Sequence, residues 1–274
     1  MNNLAQRILT ALVAGSVAVA AVFYHPYGLM IFCAIVSMVG LWELLRVMGI
    51  GESRYLDPTM ALGLGAWGVA FSEIYFADTQ AVSSSLYFLI FLCLLPLTEI
   101  IALFNQKEKE PVRTLGTILL GFFYCFLPIL LLFKLSIPAN GATYDPMLPL
   151  GILFLTWVLD SGAYFSGRFL GKHPLFPRVS PKKTWEGAIG GAVLTLILAW
   201  VLQTYHSPDN YSWWIIAIII CVFSQIGDLV ESMFKRSIQL KDSGSILPGH
   251  GGMLDRFDGI YLSVPFIFFY FSVL

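Results

Sequence analysis

Nine stretches of mostly apolar residues follow one another along the 274-residue chain, at about 8–24, 27–48, 59–77, 82–104, 115–135, 147–170, 186–205, 212–231 and 259–274. About twenty such residues in a helix cross the hydrocarbon core of a bilayer. Within that core each backbone N–H and C=O must find its partner inside the protein, which a helix achieves residue by residue. The pattern therefore predicts an all-α polytopic membrane protein with about nine transmembrane helices. The last run is the shortest and carries Pro265. Composition agrees, since 57% of residues are hydrophobic and only 12% are charged, about half the charged fraction of an ordinary soluble domain. The segment Met1–Arg7 leads into the first run. A small-residue cleavage site near Ala18–Ala21 is conceivable, but the run continues, so an uncleaved first span is expected.

The basic residues set the expected orientation. With nine spans and a cytoplasmic N-terminus, 15 of the 16 Lys and Arg residues fall on cytoplasmic segments or helix ends, and Lys134 alone lies near the far side. That asymmetry is the positive-inside pattern. The far-side loops, around His25, Asp78, Asn140 and His206, are short and poor in basic groups, so chemistry is expected on the cytoplasmic face. The chain reads as one membrane domain over 1–274. Residues 1–145 form mainly a helical scaffold, and 150–274 carry nearly all the dense polar motifs. The cysteines Cys33, Cys93, Cys125 and Cys221 all sit in apolar runs without CxxC spacing, and read as small core residues.

The densest polar stretch is 224–258, between two apolar runs. It holds Asp228, Glu231, Asp242, Asp255 and Asp258 with Lys235, Arg236, Lys241 and Arg256. Ionisable groups at membrane depth are costly and mark function. Asp228 and Glu231 are three apart near the end of the eighth span, and Asp255 and Asp258 are three apart at the start of the ninth. Each pair thus shares a helix face. Such carboxylates suit a hard cation such as Mg²⁺, with substrate phosphates completing its shell. Asp228 and Asp255 are the first choices as ligands, Asp258 the next, and Glu231 stands behind them. The alternative is that these acids neutralise Lys235, Arg236 and Arg256 as structural ion pairs. Between the pairs, Pro248-Gly-His-Gly-Gly252 permits close backbone approach to an anion. His250 reads as a phosphate or base contact.

A second cluster is Arg178-Val-Ser-Pro-Lys-Lys-Thr-Trp-Glu-Gly187. Ser180-Pro181 is expected to start a helix, with Lys182, Lys183 and Thr184 in a first turn able to receive phosphate. The alternative is a basic loop that only sets topology. Asp160 in Asp160-Ser-Gly-Ala-Tyr164 interrupts the sixth span and is a candidate cavity or ion-pair residue, with Lys182 as one possible base. Gly167xxxGly171 and Gly187xxxGly191 suggest helix-packing faces. Glu43 and Glu99 are further acids within apolar runs, for which ion pairing is the expected role. Gly63-Leu-Gly-Ala-Trp-Gly68 fits a dinucleotide fingerprint but lies inside a span, without the required strand, and no GxxxxGK[ST] occurs.

Ser232-Met-Phe-Lys-Arg, Lys241-Asp-Ser-Gly and Leu247-Pro-Gly-His-Gly-Gly-Met-Leu-Asp-Arg-Phe-Asp258 together resemble the phosphatidate cytidylyltransferases (CDP-diacylglycerol synthases). So do Asp160-Ser-Gly-Ala-Tyr, Gly167-Arg-x-x-Gly-Lys172, Ser180-Pro-Lys-Lys-Thr-Trp-Glu-Gly187 and Trp42-Glu. Gly259, where that family often has Ser, is a mild departure. The resemblance implies that CTP and phosphatidate yield CDP-diacylglycerol and pyrophosphate, with Mg²⁺ and a possible second cation, K⁺. It further implies a bacterial inner-membrane homodimer with no nucleic-acid partner. Asp228, Asp255 and Asp258, with Lys235 and Arg236, are then the expected catalytic group. Substrate contacts are expected from Ser180, Lys182, Lys183, Thr184, Lys241, Asp242, His250, Gly251, Gly252 and Arg256. In-line attack of a lipid phosphate on the CTP α-phosphorus needs no protein nucleophile, only positioning and charge neutralisation. Two other readings remain. One is a CTP-dependent enzyme acting on a different lipid, such as a polyprenol kinase or an archaeal-type lipid cytidylyltransferase. The other is an ion-coupled transporter, which would place its polar groups at mid-membrane in both halves.

Overall fold

The computed structural model of the chain describes residues 15–50, 56–75, 110–137, 144–208, 211–240, 243–244 and 251–274, with the isolated positions 96, 100 and 103. Five of its helices are long and apolar enough to cross a membrane: Pro26–Val47, Pro111–Ser136, Met147–Leu170, Trp185–Tyr205 and Trp213–Ser237. The chain is thus an all-α, multi-pass membrane protein. Most of the apolar run at 82–104 lies outside the described residues, as do Cys93 and Glu99.

The chain divides into two compact units, one of Met1–Tyr144 with Ser243–Leu254 and one of Asp145–Asp242 with Asp255–Leu274. The first unit contains α1 (Gly15–Tyr24), α2 (Pro26–Val47), α3 (Leu56–Tyr75), α4 (Pro111–Gly121) and α5 (Leu127–Ser136). Pro26 opens α2, where its missing N–H is no loss, and His25 Nδ1 caps the turn by accepting from Tyr27 N at 3.3 Å. The helix stops at Gly49, whose φ of +85° suits glycine, while Ile50 N closes back on Leu45 O at 2.8 Å. Between α4 and α5 the residues Phe122–Phe126 form a π-turn. Leu127 N bonds Phe122 O there, so Pro128, which has no N–H, is passed without breaking the span. Leu41, Leu44, Leu45, Phe122, Phe126 and Phe133 are buried, and Trp67 donates to Ser37 Oγ at 3.0 Å in this core. The GxGxxG match lies on α3, with Gly63 packed against Met38 and Phe126, so it forms no phosphate turn.

The second unit contains α6 (Met147–Leu170), a hairpin of β1 (Pro174–Phe176) and β2 (Ser180–Thr184), α7 (Trp185–Tyr205), α8 (Trp213–Ser237) and α9 (Leu254–Val273), whose first residue belongs to the other unit. α6 and α7 meet over small residues. A Cβ added at Gly187 would stand 2.8 Å from Ala163 O, and one at Gly191 would stand 2.6 Å from Leu159 O. The close approach lets backbone dispersion hold two helices that the hydrophobic effect does not drive together in lipid. Gly171, paired with Gly167 in the sequence pattern, instead ends α6. α8 and α9 pack through stacked Phe223 and Phe266 and through Gly227, whose Cβ would meet Asp258 O at 2.5 Å. At the opposite end from the hairpin, Trp213 Nε1 donates to His206 O at 2.8 Å and His206 pairs with Asp145 at 3.0 Å. Burial, with the Asp145 charge nearby, pushes the Tyr211 phenol up in this layer.

Candidate active site

Ser180-Pro-Lys-Lys-Thr184 does not open a helix. It forms strand β2, paired antiparallel with β1 in the register Pro174↔Thr184 and Phe176↔Ser180. The helix begins at Trp185 because Thr184 Oγ1 accepts the N–H of Gly187 at 3.2 Å and so caps the first turn. The register of the hairpin shifts between these two pairs of partners, and burial along β2 does not simply alternate. Pro181 and Lys182 are exposed, while Lys183 and Thr184 are half-buried and Lys183 forms an ion pair with Asp228 of α8.

Glu186 fixes this hairpin. Its Oε2 accepts from the backbone N–H of Lys172 at 3.0 Å and of His173 at 3.2 Å, and its Oε1 lies 2.6 Å from His173 Nδ1. Trp185 N also bonds His173 O at 2.9 Å. The lysine strand therefore hangs from both helices that flank it. Sequence reading stopped at the Trp185-Glu-Gly187 string. A carboxylate in the first turn of a helix, facing the end of the preceding one, was the available signal.

Asp228 also accepts from Ser232 Oγ at 3.3 Å, one turn along α8. Asp160 feels the charges of Asp228, Lys183 and Arg256, so the lysine near it is Lys183 where Lys182 was expected. Asp258, only 9% exposed, faces Asp228, Glu231 and Asp160, and its Oδ1 accepts the N–H of Gly259 at 2.8 Å. Lys235 joins the remaining acids, standing 3.0 Å from Glu231 Oε2 and 2.7 Å from Asp255 Oδ1. The second unit thus interleaves Asp160, Asp228, Glu231, Asp255 and Asp258 with Lys183, Lys235 and Arg256 at one end of its helices. Among the described residues, no group of three or more His, Cys, Asp or Glu side chains stands at metal-binding separation.

Other expected residues are placed differently. Arg236 is exposed and its Nη1 lies 3.4 Å from Leu240 O, at its own helix end. Ser180 is half-buried on β2, and Arg256 is exposed. Gly251 has a φ of +85°, as a tight turn requires. Gly252 belongs to the first unit and packs on Glu43 and Ser243. Lys241, Asp242 and His250 lie outside the described residues. Glu43 accepts the N–H of Leu254 at 2.8 Å, a backbone role that its expected ion pairing did not anticipate.

Paired lysines and carboxylates gathered at the end of a membrane helix bundle are the equipment of an enzyme that handles phosphate esters. The chain matches the Cytidylyltransferase family over residues 5–274 and belongs to that family, and so to the nucleotidyltransferases. It is 36% identical over 274 residues to the phosphatidate cytidylyltransferase of Bacillus subtilis (strain 168), covering 98% of each chain. With the phosphatidate cytidylyltransferase of Haemophilus influenzae it shares 33% over 288 residues, covering 99% of this chain and 100% of the relative. With that of Staphylococcus aureus (strain COL) it shares 32% over 264 residues, covering 95% and 96%.

Proposed function

We propose that this protein transfers the cytidylyl group of CTP to phosphatidate, the activity for which its relatives are named. A phosphatidate oxygen attacks the α-phosphorus of CTP, the bond from that phosphorus to the β-phosphate oxygen breaks, and pyrophosphate leaves with its electron pair. CDP-diacylglycerol is the other product, a step in phospholipid biosynthesis. The observation that carries the reading is the Lys183–Asp228 pair. It joins the basic strand to the acidic helix, two motifs that the sequence keeps 45 positions apart.

Lys183 is held by Asp228. A triphosphate offers the ammonium a more highly charged partner, so Lys183 exchanges carboxylate for phosphate when CTP enters. Lys182, exposed beside it on the strand, and Arg256 supply further positive charge to the phosphates of both substrates. Ser180 and Thr184 flank those lysines, while Arg236, Lys241, Asp242, His250, Gly251 and Gly252 complete the proposed substrate contacts. Lys235 keeps Glu231 and Asp255 neutralised and oriented. The reacting phosphates need no protein nucleophile, so these residues act by orientation and charge compensation.

The donor set fits Mg²⁺. It consists of oxygen ligands alone, and Asp258 lies within electrostatic range of Asp228, Glu231 and Asp160, a repulsion that a cation relieves. Two carboxylates suffice, because this ion keeps waters and substrate phosphates in its shell. Asp228, Asp255 and Asp258 would hold it, with Glu231 behind them, and K⁺ is proposed as a second cation. When bound, the ion neutralises charge on the attacking and leaving oxygens.

The proposed setting is a bacterial inner membrane crossed by nine helices, with the N-terminus and the site facing the cytoplasm. The one-sided distribution of Lys and Arg supports that orientation. CTP then reaches the site from solvent and phosphatidate from the leaflet. The homodimer rests on the family resemblance. The test is detergent-purified protein with phosphatidate, Mg²⁺ and radiolabelled CTP, with EDTA and ATP as controls. Metal-dependent, CTP-selective release of pyrophosphate and formation of CDP-lipid are expected. Activity on a polyprenol or another lipid, and none on phosphatidate, would keep the site and overturn the substrate.

A further inference from the structure

Glu43 lies on α2, is 1% exposed, and bonds the N–H of Leu254, the first residue of α9, at 2.8 Å. Both glycine positions nearby close onto its carboxylate. A Cβ on Gly252 would stand 2.5 and 2.6 Å from its two oxygens and would also strike Ser243 Oγ, and one on Gly244 would stand 2.5 Å from Oε1. Neither glycine has the positive φ found at Gly251. Glycine at 244 leaves room for the carboxylate, and glycine at 252 leaves room for the carboxylate and for Ser243 Oγ; backbone conformation does not call for glycine at either position. A buried carboxylate needs strong donors. The first N–H groups of a helix are unpaired within that helix and lie at the positive end of its dipole.

We infer that Glu43 is a positioning residue: its carboxylate locks Ser243-Gly244 and Gly251–Leu254 onto α2 and fixes the backbone from which Asp255 follows. This gives Glu43 and the two glycines a single physical reason. The catalytic part of the inference rests on the proposed cytidylyl transfer, and the structural part does not.

The test compares Glu43→Gln, Glu43→Ala, Gly252→Ala and the double variant Glu43→Ala/Gly252→Ala as full-length protein in detergent. Two readouts are taken: amide hydrogen exchange over 251–254, and kcat and KM with CTP. Glu43→Ala is expected to speed exchange there and to lower kcat/KM by about tenfold or more, as displaced reacting groups do. Glu43→Gln keeps the acceptor oxygen and stays within about threefold of wild type in both readouts. Gly252→Ala alone reproduces the loss. Added to Glu43→Ala it costs less than it does alone, because one of the two groups it collides with is gone while Ser243 Oγ remains, and the penalties do not fully add. Wild-type behaviour of Glu43→Ala, equal damage from Gln and Ala, or fully multiplicative penalties would each overturn the inference. If Glu43→Ala does not accumulate, Glu43→Gln against Gly252→Ala decides in the same way. If the wild type transfers no cytidylyl group, the reaction falls, and the exchange data alone judge Glu43.

Discussion

At the scale of single residues the two lysines of Ser180-Pro-Lys-Lys-Thr184 are not equivalent. Lys183 pairs with Asp228, while Lys182 is exposed. Lys183→Ala is therefore expected to lower kcat/KM about a hundredfold, the scale of one lost charge-stabilising donor. Lys182→Ala should lose only a fewfold. Parallel steady-state kinetics with CTP check the order, and equal losses would show that pairing with Asp228 does not set Lys183 apart. Asp255→Asn is expected to abolish CDP-lipid formation while the protein stays folded and membrane-inserted, checked by label transfer alongside membrane fractionation. Near-wild-type turnover there would withdraw Asp255 from the ligand set. Part of this was legible in the sequence. Glu231 and Lys235 are one turn apart on a helix, so their pairing follows from spacing. The pairing of Lys183 with Asp228 was hidden, because it joins two elements 45 positions apart and spacing along the chain does not reveal such a contact. Pro181 is equally at home on a two-stranded edge, and it was the cap at Thr184 that decided where the helix starts.

At the scale of elements the hairpin and the α6–α7 contact depend on each other. Gly187 and Gly191 were readable as a small-residue face. Their partners were readable only in part: Gly167 meets Gly187, whose Cβ would stand 3.1 Å from Gly167 Cα, but Gly171 ends α6 and Gly162 meets Gly191, with its Cβ position 3.0 Å from Gly191 Cα. Spacing along one helix carries no information about which residues of the next helix it meets. Gly191→Leu is expected to destabilise the protein by roughly 1–3 kcal/mol, as overpacking does, and to lower the thermal transition of the detergent-solubilised enzyme. An unchanged transition would show that the helices separate without penalty. Glu186 is the other fastener. Glu186→Ala removes the acceptor for Lys172 and His173 and leaves the Thr184 cap in place. The hairpin should become protease-sensitive between Lys172 and Lys183, and KM for CTP should rise while α7 stays helical. Protease resistance equal to wild type would mean that β1–β2 pairing alone holds the strand.

At the scale of the whole molecule, the apolar runs foretold helices at 27–48, 115–135, 147–170, 186–205 and 212–231 to within a few residues of the observed ends, except that α8 continues to Ser237. That extension carries Lys235 and Arg236 as its last turn, where basic side chains complement the helix dipole. Hydropathy falls before the helix does, so an apolar window cannot see a polar final turn. Sidedness, by contrast, is a claim about the membrane and needs a membrane to test it. Pro177, in the exposed turn between β1 and β2, and Ser207, exposed beyond α7, lie at opposite ends of one unit. An odd number of spans with a cytoplasmic N-terminus puts Pro177 inside, and Ser207 and Leu274 outside. With the native cysteines replaced, Pro177→Cys should resist a membrane-impermeant maleimide in intact cells and react in inverted vesicles, while Ser207→Cys should do the reverse. A C-terminal cysteine should behave like Ser207→Cys. Labelling of Pro177→Cys from outside would invert the orientation and place the lysines away from cytoplasmic CTP. Agreement at Pro177 and Ser207 with the C-terminus inside would keep the site where it is and reduce the last helix, with its internal Pro265, to one that does not span.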